Sequence, residues 1–382
     1  MLTDDRRALI LRELHRKGSF SVADFAAHLG VSGMTVRRDL AALEAENLLQ
    51  RVHGGAIPVQ VAAPAGLQHA GSGTGLRRMP GAAPHALQSP RGGRMAVPTI
   101  GLVMPNARYY FATVVRGAEA AARDMGARLV LAVSNYSQLE EERQVERLLA
   151  NKVDGLIVTF SAESLANSRT LELLASADIP IVVAERPIDD VRDDLLLESV
   201  RSDHVRGAEI AVNHLIGMGH TRIALCTRRN SPTTAGVRSG YRRALERAGL
   251  PWNPGDEHSF GSKQEEPESL RAELEDALEK IVAGELTAVL LLNDQDALTF
   301  VDSCQSRGIS IPKDLAIVAY DDEVASMGAV PLTAIAPPKF DVGYQALQMC
   351  LDRLDSPAGK PTALRQVSLS PALVVRESSA HP

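Results

Sequence analysis

Residues able to do chemistry fall in two places along this chain. The first is the run VSGMTVRRDL at 31–40. Ser32 can cap a helix with its hydroxyl, and Thr35, Arg37 and Arg38 follow in the half of the helix that would enter a major groove. The second is a set of polar and aromatic residues, each just beyond a short apolar run. Asn106, Arg108, Tyr109, Tyr110 and Phe111 follow TIGLVMP (99–105), and Arg186 follows IPIVVAE (179–185). Ser202 and Asp203 follow LLLESV (195–200), Asn293 and Asp294 follow AVLLL (288–292), and Asp321 follows LAIVAY (315–320). Aromatic faces cover the C–H surface of a polyhydroxylated ligand, while amide, carboxylate and guanidinium groups fork onto its hydroxyls.

These residues need elements to hold them. The amphipathic stretch SVADFAAHLG (21–30) precedes the arginine pair, and LLQRVHGGA (48–56) follows it. Two short helices across a tight turn are the layout of a helix-turn-helix. Val36, Leu40 and Leu43 recur at helical spacing, giving one buried stripe with the arginines on another face. From residue 99 apolar strands alternate with helical stretches at 115–126, 138–151, 204–217, 238–248 and 295–307. Such alternation predicts an α/β fold of parallel sheets with helices on both faces. The elements are too many for one sheet, so two doubly wound lobes are expected, with ligand beyond the carboxyl ends of their strands. Between the two regions, 21 of the 41 residues at 58–98 are Gly, Pro or Ala. No hydrophobic period survives there, and the segment reads as a flexible linker. The expected domains are therefore 1–57, a linker at 58–98, and 99–382.

The net charge of −6 divides unevenly. Residues 1–57 carry +1, residues 58–98 carry +4, and residues 99–382 carry −11. The basic end is where DNA contact is expected, and phosphate would repel the acidic body. No apolar run approaches the roughly 18 residues of a membrane span. The start, MLTDDRRALI, has no basic stretch leading into an apolar one, so a cytoplasmic protein is expected. Cys226, Cys304 and Cys350 fit no metal spacing and read as buried thiols. The GSGTG at 71–75 follows no strand and precedes no helix, so it is not read as a phosphate loop.

Residues 4–56, with RRDL and the terminal RVHGGA, resemble the DNA-binding domain of the DeoR family. The resemblance implies a winged helix: helices near 4–17 and 22–29, a recognition helix at 33–46 and a β-wing at Gly54–Gly55. It gives Ser32, Thr35, Arg37, Arg38, Arg51 and His53 as DNA contacts. Residues 99–376 resemble the effector domain of LacI/GalR-type regulators, a relative of periplasmic sugar-binding proteins. The matching stretches include IGLVMPN, VDGLIV, IPIVV, LIGMGHTRIAL, GYRRALERAGL, AVLLLNDQDAL, RGISIPKDLAIVAYDD and PLTAIAPP. By position, Tyr110 and Phe111 match that family's aromatic ligand contacts, and Asn293 and Asp321 its polar ones. Asn106, Arg186, Asp203 and Arg238 complete the candidate ligand set. The chain departs from the pattern in places. Arg238 stands two residues before Gly240 where three is usual, Glu185 and Ser202-Asp203 stand where Asp and Asp-Asn are common, and Pro337 replaces a frequent Gln.

Each site has a plainer reading beside it. Asp321 could cap locally or form a salt bridge, Asn293 could serve as a helix N-cap, and the three consecutive aromatics could be core. No GxSxG, HExxH, P-loop or dinucleotide fingerprint is present, so no enzyme, cofactor or metal is expected. The two resemblances imply a hybrid regulator: a homodimer that binds operator DNA, represses sugar genes and responds to a small polar effector, with no membrane partner. The alternative is a cytoplasmic sugar-binding protein or sugar-acting enzyme of the same two-lobed fold.

Overall fold

A computed structural model describes residues 10, 20–21, 34–36, 39–40, 43, 50–52, 55–57 and 97–379, except 162–167, 189–196, 230, 262–266, 284 and 357–362. The chain divides into two compact units, Met1–Pro90 and Arg91–Pro382.

In the first unit, residues 34–36, 39–40 and 43 are helical. Val36, Leu40 and Leu43 are buried as their spacing predicts, and Ile10 is buried too. Strands β1 (Phe20–Ser21), β2 (Gln50–Val52) and β3 (Gly55–Ile57) form a small antiparallel sheet in the order β1-β3-β2. Val52 pairs with Gly55, closing the β2–β3 hairpin beside the expected wing.

The second unit holds two six-stranded sheets. Lobe one begins with β4 (Thr99–Met104), α1 (Tyr110–Met125), β5 (Arg128–Val133), α2 (Gln138–Ala150) and β6 (Gly155–Val158). It continues with α3 (Arg169–Ala175), β7 (Ile181–Ala184) and β8 (Glu198–Ser202). Lobe two takes over with α4 (His204–Gly217), β9 (Ile223–Arg228), α5 (Thr234–Arg247), β10 (Glu257–Phe260) and α6 (Pro267–Ala283). It continues with β11 (Ala288–Leu291), α7 (Asp294–Ser306), β12 (Ala316–Tyr320) and β13 (Thr333–Ala336). Then α8 (Lys339–Leu354) and β14 (Gln366–Leu369) return to lobe one, and β15 (Ala372–Val374) ends in lobe two.

Lobe one has the strand order β14-β8-β7-β6-β4-β5 and is parallel throughout. Lobe two has the order β10-β9-β11-β12-β13-β15, with only β13–β15 antiparallel. Strands β6, β7, β11 and β12 are buried at every residue. Helices cover both faces of such a strand, so it reads as an unbroken apolar run. The chain crosses between lobes three times: β8 to α4, β13 to α8, and β14 to β15.

Local signals explain most boundaries. The Ser137 hydroxyl caps α2 by accepting the Glu140 N–H, and Gly126, with φ 72°, ends α1 in the left-handed conformation. Three expected boundaries move. Helix α1 begins at Tyr110, not 115, because its first turn is aromatic and β-branched and its N-cap, Tyr109, makes no capping bond. Helix α5 begins at Thr234, not 238, and Thr233 likewise makes no side-chain cap. Strand β8 lies at 198–202, not 195–200. Its buried Glu198 accepts from Arg365 Nε at 3.0 Å, so a polar segment holds a strand position that apolar pattern alone does not reveal.

Helices α1 and α8 approach backbone to backbone. A Cβ added at Gly343 would collide with the Val114 carbonyl oxygen, and one at Gly117 with that of Phe340. Cys226, Cys304 and Cys350 are buried free thiols. No helix of the described residues is long and apolar enough to cross a membrane.

Candidate ligand cleft and DNA-binding head

In the first unit, Thr35 is half-buried on its helix and Arg51 lies in β2. Ser32, Arg37, Arg38 and His53 lie outside the described residues.

In the second unit the carboxyl ends of both sheets border a cleft of about 710 Å³. Among the expected ligand residues it brings together Asn106, Tyr110, Phe111, Arg186, Asn293 and Asp321. Asp203 and Arg238 do not line it. The Asp203 carboxylate caps α4 through the Arg206 N–H at 2.8 Å. Arg238 is drawn off by Glu257, with Nε 2.7 Å from Oε2.

The aromatic wall begins where β4 gives way to α1. Phe111 is buried in the lobe-one core while still touching the cleft. Tyr110 meets it edge-on at 5.3 Å. Its hydroxyl donates to Glu185 Oε1 at 2.7 Å. Burial, with the Glu185 charge adding to it, raises the Tyr110 phenol well above its ordinary range, so it is a neutral donor. Tyr109 reaches across. Its hydroxyl donates to Asp294 and lies 3.2 Å from Asp321 Oδ2, both on lobe two. Asn106 donates from Nδ2 to the Tyr136 hydroxyl at 3.2 Å.

Glu185 is almost fully engaged by the protein. It accepts from Tyr110, from Ser202 Oγ at 2.9 Å and from Ser202 N at 3.0 Å. His204 Nε2 stands 3.9 Å away, across the lobes. Burial lowers the His204 pKa, so that contact is with a neutral ring at pH 7. Arg186 is buried, donating from Nε to Phe160 O and from Nη1 to Glu185 O, each at 3.0 Å.

Lobe two contributes the start of α7 and the end of β12. Asn293 Oδ1 caps α7 by accepting the Asp296 N–H at 3.0 Å, so the plainer reading of Asn293 holds, and it lines the cleft as well. Arg228 grips Asp296 with two bonds, at 2.6 and 2.7 Å. Asp294 accepts the backbone N–H groups of Glu323, Val324 and Ala325 at 2.6, 2.6 and 3.0 Å. Asp321 is only 8% exposed. Burial pushes its carboxyl up to about 7, and the Asp294 charge adds to this while Lys339 opposes it. Lys339, the first residue of α8, donates to the Asp321 carbonyl and pairs with Glu323 at 2.5 Å.

Tyr109, one of the three aromatics the sequence offered, lines the cleft with Arg228, and so do Asn135, Tyr136, His204 and Gln295, which the sequence did not point to, and Glu185, noted there only as a departure from the family pattern. Tyr136 had a usable signal, since it follows the carboxyl end of β5. Backbone conformation marks the same place. Of the eight described non-glycine residues with positive φ, five line the cleft: Tyr109, Asn135, Tyr136, Glu185 and Asp321. Such conformations cost on the order of 1–3 kcal/mol each and gather where function demands them.

Comparison with known proteins agrees with both units. Residues 6–60 match a DeoR-like helix-turn-helix domain and residues 212–379 a periplasmic binding protein-like domain. The HTH-type transcriptional regulator DegA of Bacillus subtilis (strain 168) is 31% identical over 284 residues, covering 74% of this chain and 80% of that protein. The ribose operon repressor of Escherichia coli (strain K12) is 30% identical over 286 residues, covering 74% and 82%. Among solved structures, a complex of the transcriptional regulator CelR with cellobiose superposes with a TM-score of 0.63 at 27% identity, covering 73% of this chain and 84% of the other. The chain belongs to the LacI-type family of ligand-controlled, DNA-binding transcriptional regulators, with a DeoR-like helix-turn-helix at its head and a periplasmic-binding-protein-like domain behind it.

Proposed function

We propose that this regulator represses genes of carbohydrate uptake or breakdown, and that a sugar or sugar derivative held in the cleft sets its affinity for operator DNA. The observation that carries this reading is the cleft itself. Aromatic rings from one lobe face Asp321 and Asn293 from the other, the pairing that a polyhydroxylated ring needs. Relatives named for ribose and cellobiose support it. Asn106, Tyr110, Phe111, Arg186, Asn293 and Asp321 are assigned to the ligand. Ser32, Thr35, Arg37, Arg38, Arg51 and His53 are assigned to DNA, and residues 58–98 to a linker. A homodimer would present two such heads to two half-sites related by its symmetry.

The test is a heat-denaturation screen against a panel of monosaccharides, disaccharides and their acids and phosphates, followed by operator binding with and without each stabilising compound. A compound that both stabilises the protein and changes operator affinity supports the reading. If no compound of the panel both stabilises the protein and changes operator affinity, the carbohydrate assignment is wrong.

A further inference from the structure

Hydrogen-bonding groups around the cleft are unevenly used. The acceptors are largely occupied. Glu185 takes three protein donors, Asp294 takes three backbone N–H groups and the Tyr109 hydroxyl, and Asp296 takes the Arg228 fork. Asn293 and Asn106 use their Oδ1 atoms on the backbone N–H groups of Asp296 and Arg108.

Arg186 is the reverse case. A guanidinium carries five N–H donors in a fixed fork, and here, among the described residues, two are used, both on backbone carbonyls. Arg228 and Arg229 are each paired with a carboxylate. Among the described residues, no carboxylate stands in ion-pair contact with Arg186, which is 7% exposed and lines the cleft. Its guanidinium lies 5.9 Å from the centre of the Phe111 ring, fixing one side of the plane. Burial lowers its pKa, and the nearby Glu185 and Glu141 charges act against this without reversing it. A buried cation with unused, coplanar donors is best matched by an anionic oxygen group that takes two of them at once.

We infer that the effector is a polyhydroxylated anion, a carboxylate or phosphate ester of a sugar, with its anionic group on the Arg186 fork and its hydroxyls toward Asp321. This rests on the reading that the cleft holds the regulator's effector, and it narrows that effector's class. Asp321 is the cleft carboxylate with the fewest protein donors, so it is left to take ligand hydroxyls.

Calorimetric titration of the full chain with matched pairs tests this: D-glucose against D-gluconate, D-glucuronate and D-glucose 6-phosphate, and D-ribose against D-ribose 5-phosphate. At least one anion should bind at least tenfold more tightly than its neutral parent. The carboxylates and the phosphates separate the two sources of charge. Arg186→Gln should weaken the preferred anion roughly ten- to hundredfold and so erase most of its advantage over the neutral parent. Arg186→Lys keeps the charge without the fork, and should retain part of the preference should the Gln variant fold poorly. A neutral sugar that binds as tightly as its acid or phosphate overturns the inference while leaving the sugar-regulator reading intact. Failure of all the named sugars and anions in the folded protein overturns the inference and counts against that reading too.

Discussion

The Tyr109 hydroxyl donates a hydrogen bond to the Asp294 carboxylate, and so ties lobe one to lobe two across the mouth of the cleft. Tyr109 precedes α1 with φ 47°, and Asp294 opens α7. The three backbone N–H groups that Asp294 accepts all go to its Oδ2, so removing the phenol takes the donor from the buried Oδ1. Tyr109→Phe should therefore remove the charge-assisted bond to Asp294 together with the longer contact to Asp321, costing about 1.5–3 kcal/mol. Heat denaturation should show a lower Tm, and small-angle scattering a larger radius of gyration as the lobes part. An unchanged Tm together with an unchanged scattering curve would show that this bond does not hold the lobes.

Asp321 gives the cleft a pH dependence with a definite sign. Its folded pKa is about 7 against an ordinary 3.8, because burial disfavours the charged form. The folded state thus holds this proton more tightly than the unfolded chain does. Its contribution to stability is full below pH 3.8 and is lost as pH rises to about 7. Asp321→Asn removes that titration. Measured from about pH 5 to 8, the Tm of the wild type should fall relative to that of Asp321→Asn as pH rises, and the gap should level off above 7. Parallel curves would place Asp321 in a more solvated setting than the one described.

Gly343 lies where α8, returning from lobe two, packs on α1. A methyl group there would meet the backbone carbonyl of Val114, which cannot swing aside. Ala favours a helix over Gly by about 1 kcal/mol, but overpacking against backbone costs about 1–3 kcal/mol. Sterics should win, and Gly343→Ala should lower the Tm by several degrees. A rise in Tm would show that the two helices can separate at little cost.

Arg37 and Arg38 follow Thr35 in the run matched to the DeoR-like domain. Replacing both by Ala should weaken operator binding by about 1–3 kcal/mol for each base that is no longer read. It should also flatten the dependence on salt, by about one unit of slope for each phosphate that is no longer neutralised. Fluorescence anisotropy at two salt concentrations measures both. A folded double variant with wild-type affinity and slope would remove these arginines from the DNA interface.

The sequence was most legible where pattern and burial coincide. Val36, Leu40 and Leu43 are buried as their spacing requires, and β4, β6, β7, β11 and β12 lie on the apolar runs that mark them. The rule that ligands meet strand carboxyl ends placed six of eight candidate residues on one cleft. Asp203 and Arg238 left the set because each found a partner nearby, a helix N-terminus and Glu257, and sequence spacing carries no trace of such competition. Tyr109 was visible as one of three aromatics, but only its bonds to Asp294 and Asp321 show that its ring turns toward lobe two. Strand β8 was displaced because a buried Glu198 satisfied by Arg365, 167 residues away, looks like a loop residue in one dimension.

In the proposed function, a ligand in this cleft controls DNA binding by the head at the N-terminal end of the chain. Asp321→Ala tests it most directly, through operator affinity titrated with the stabilising sugar that the screen identifies. The variant should bind operator as the wild type does without ligand, yet its affinity should no longer respond to that sugar, because a ligand shifts an equilibrium only through contacts that differ between the two states. A folded Asp321→Ala protein whose operator affinity still responds to the sugar with wild-type strength would show that Asp321 does not carry the ligand signal.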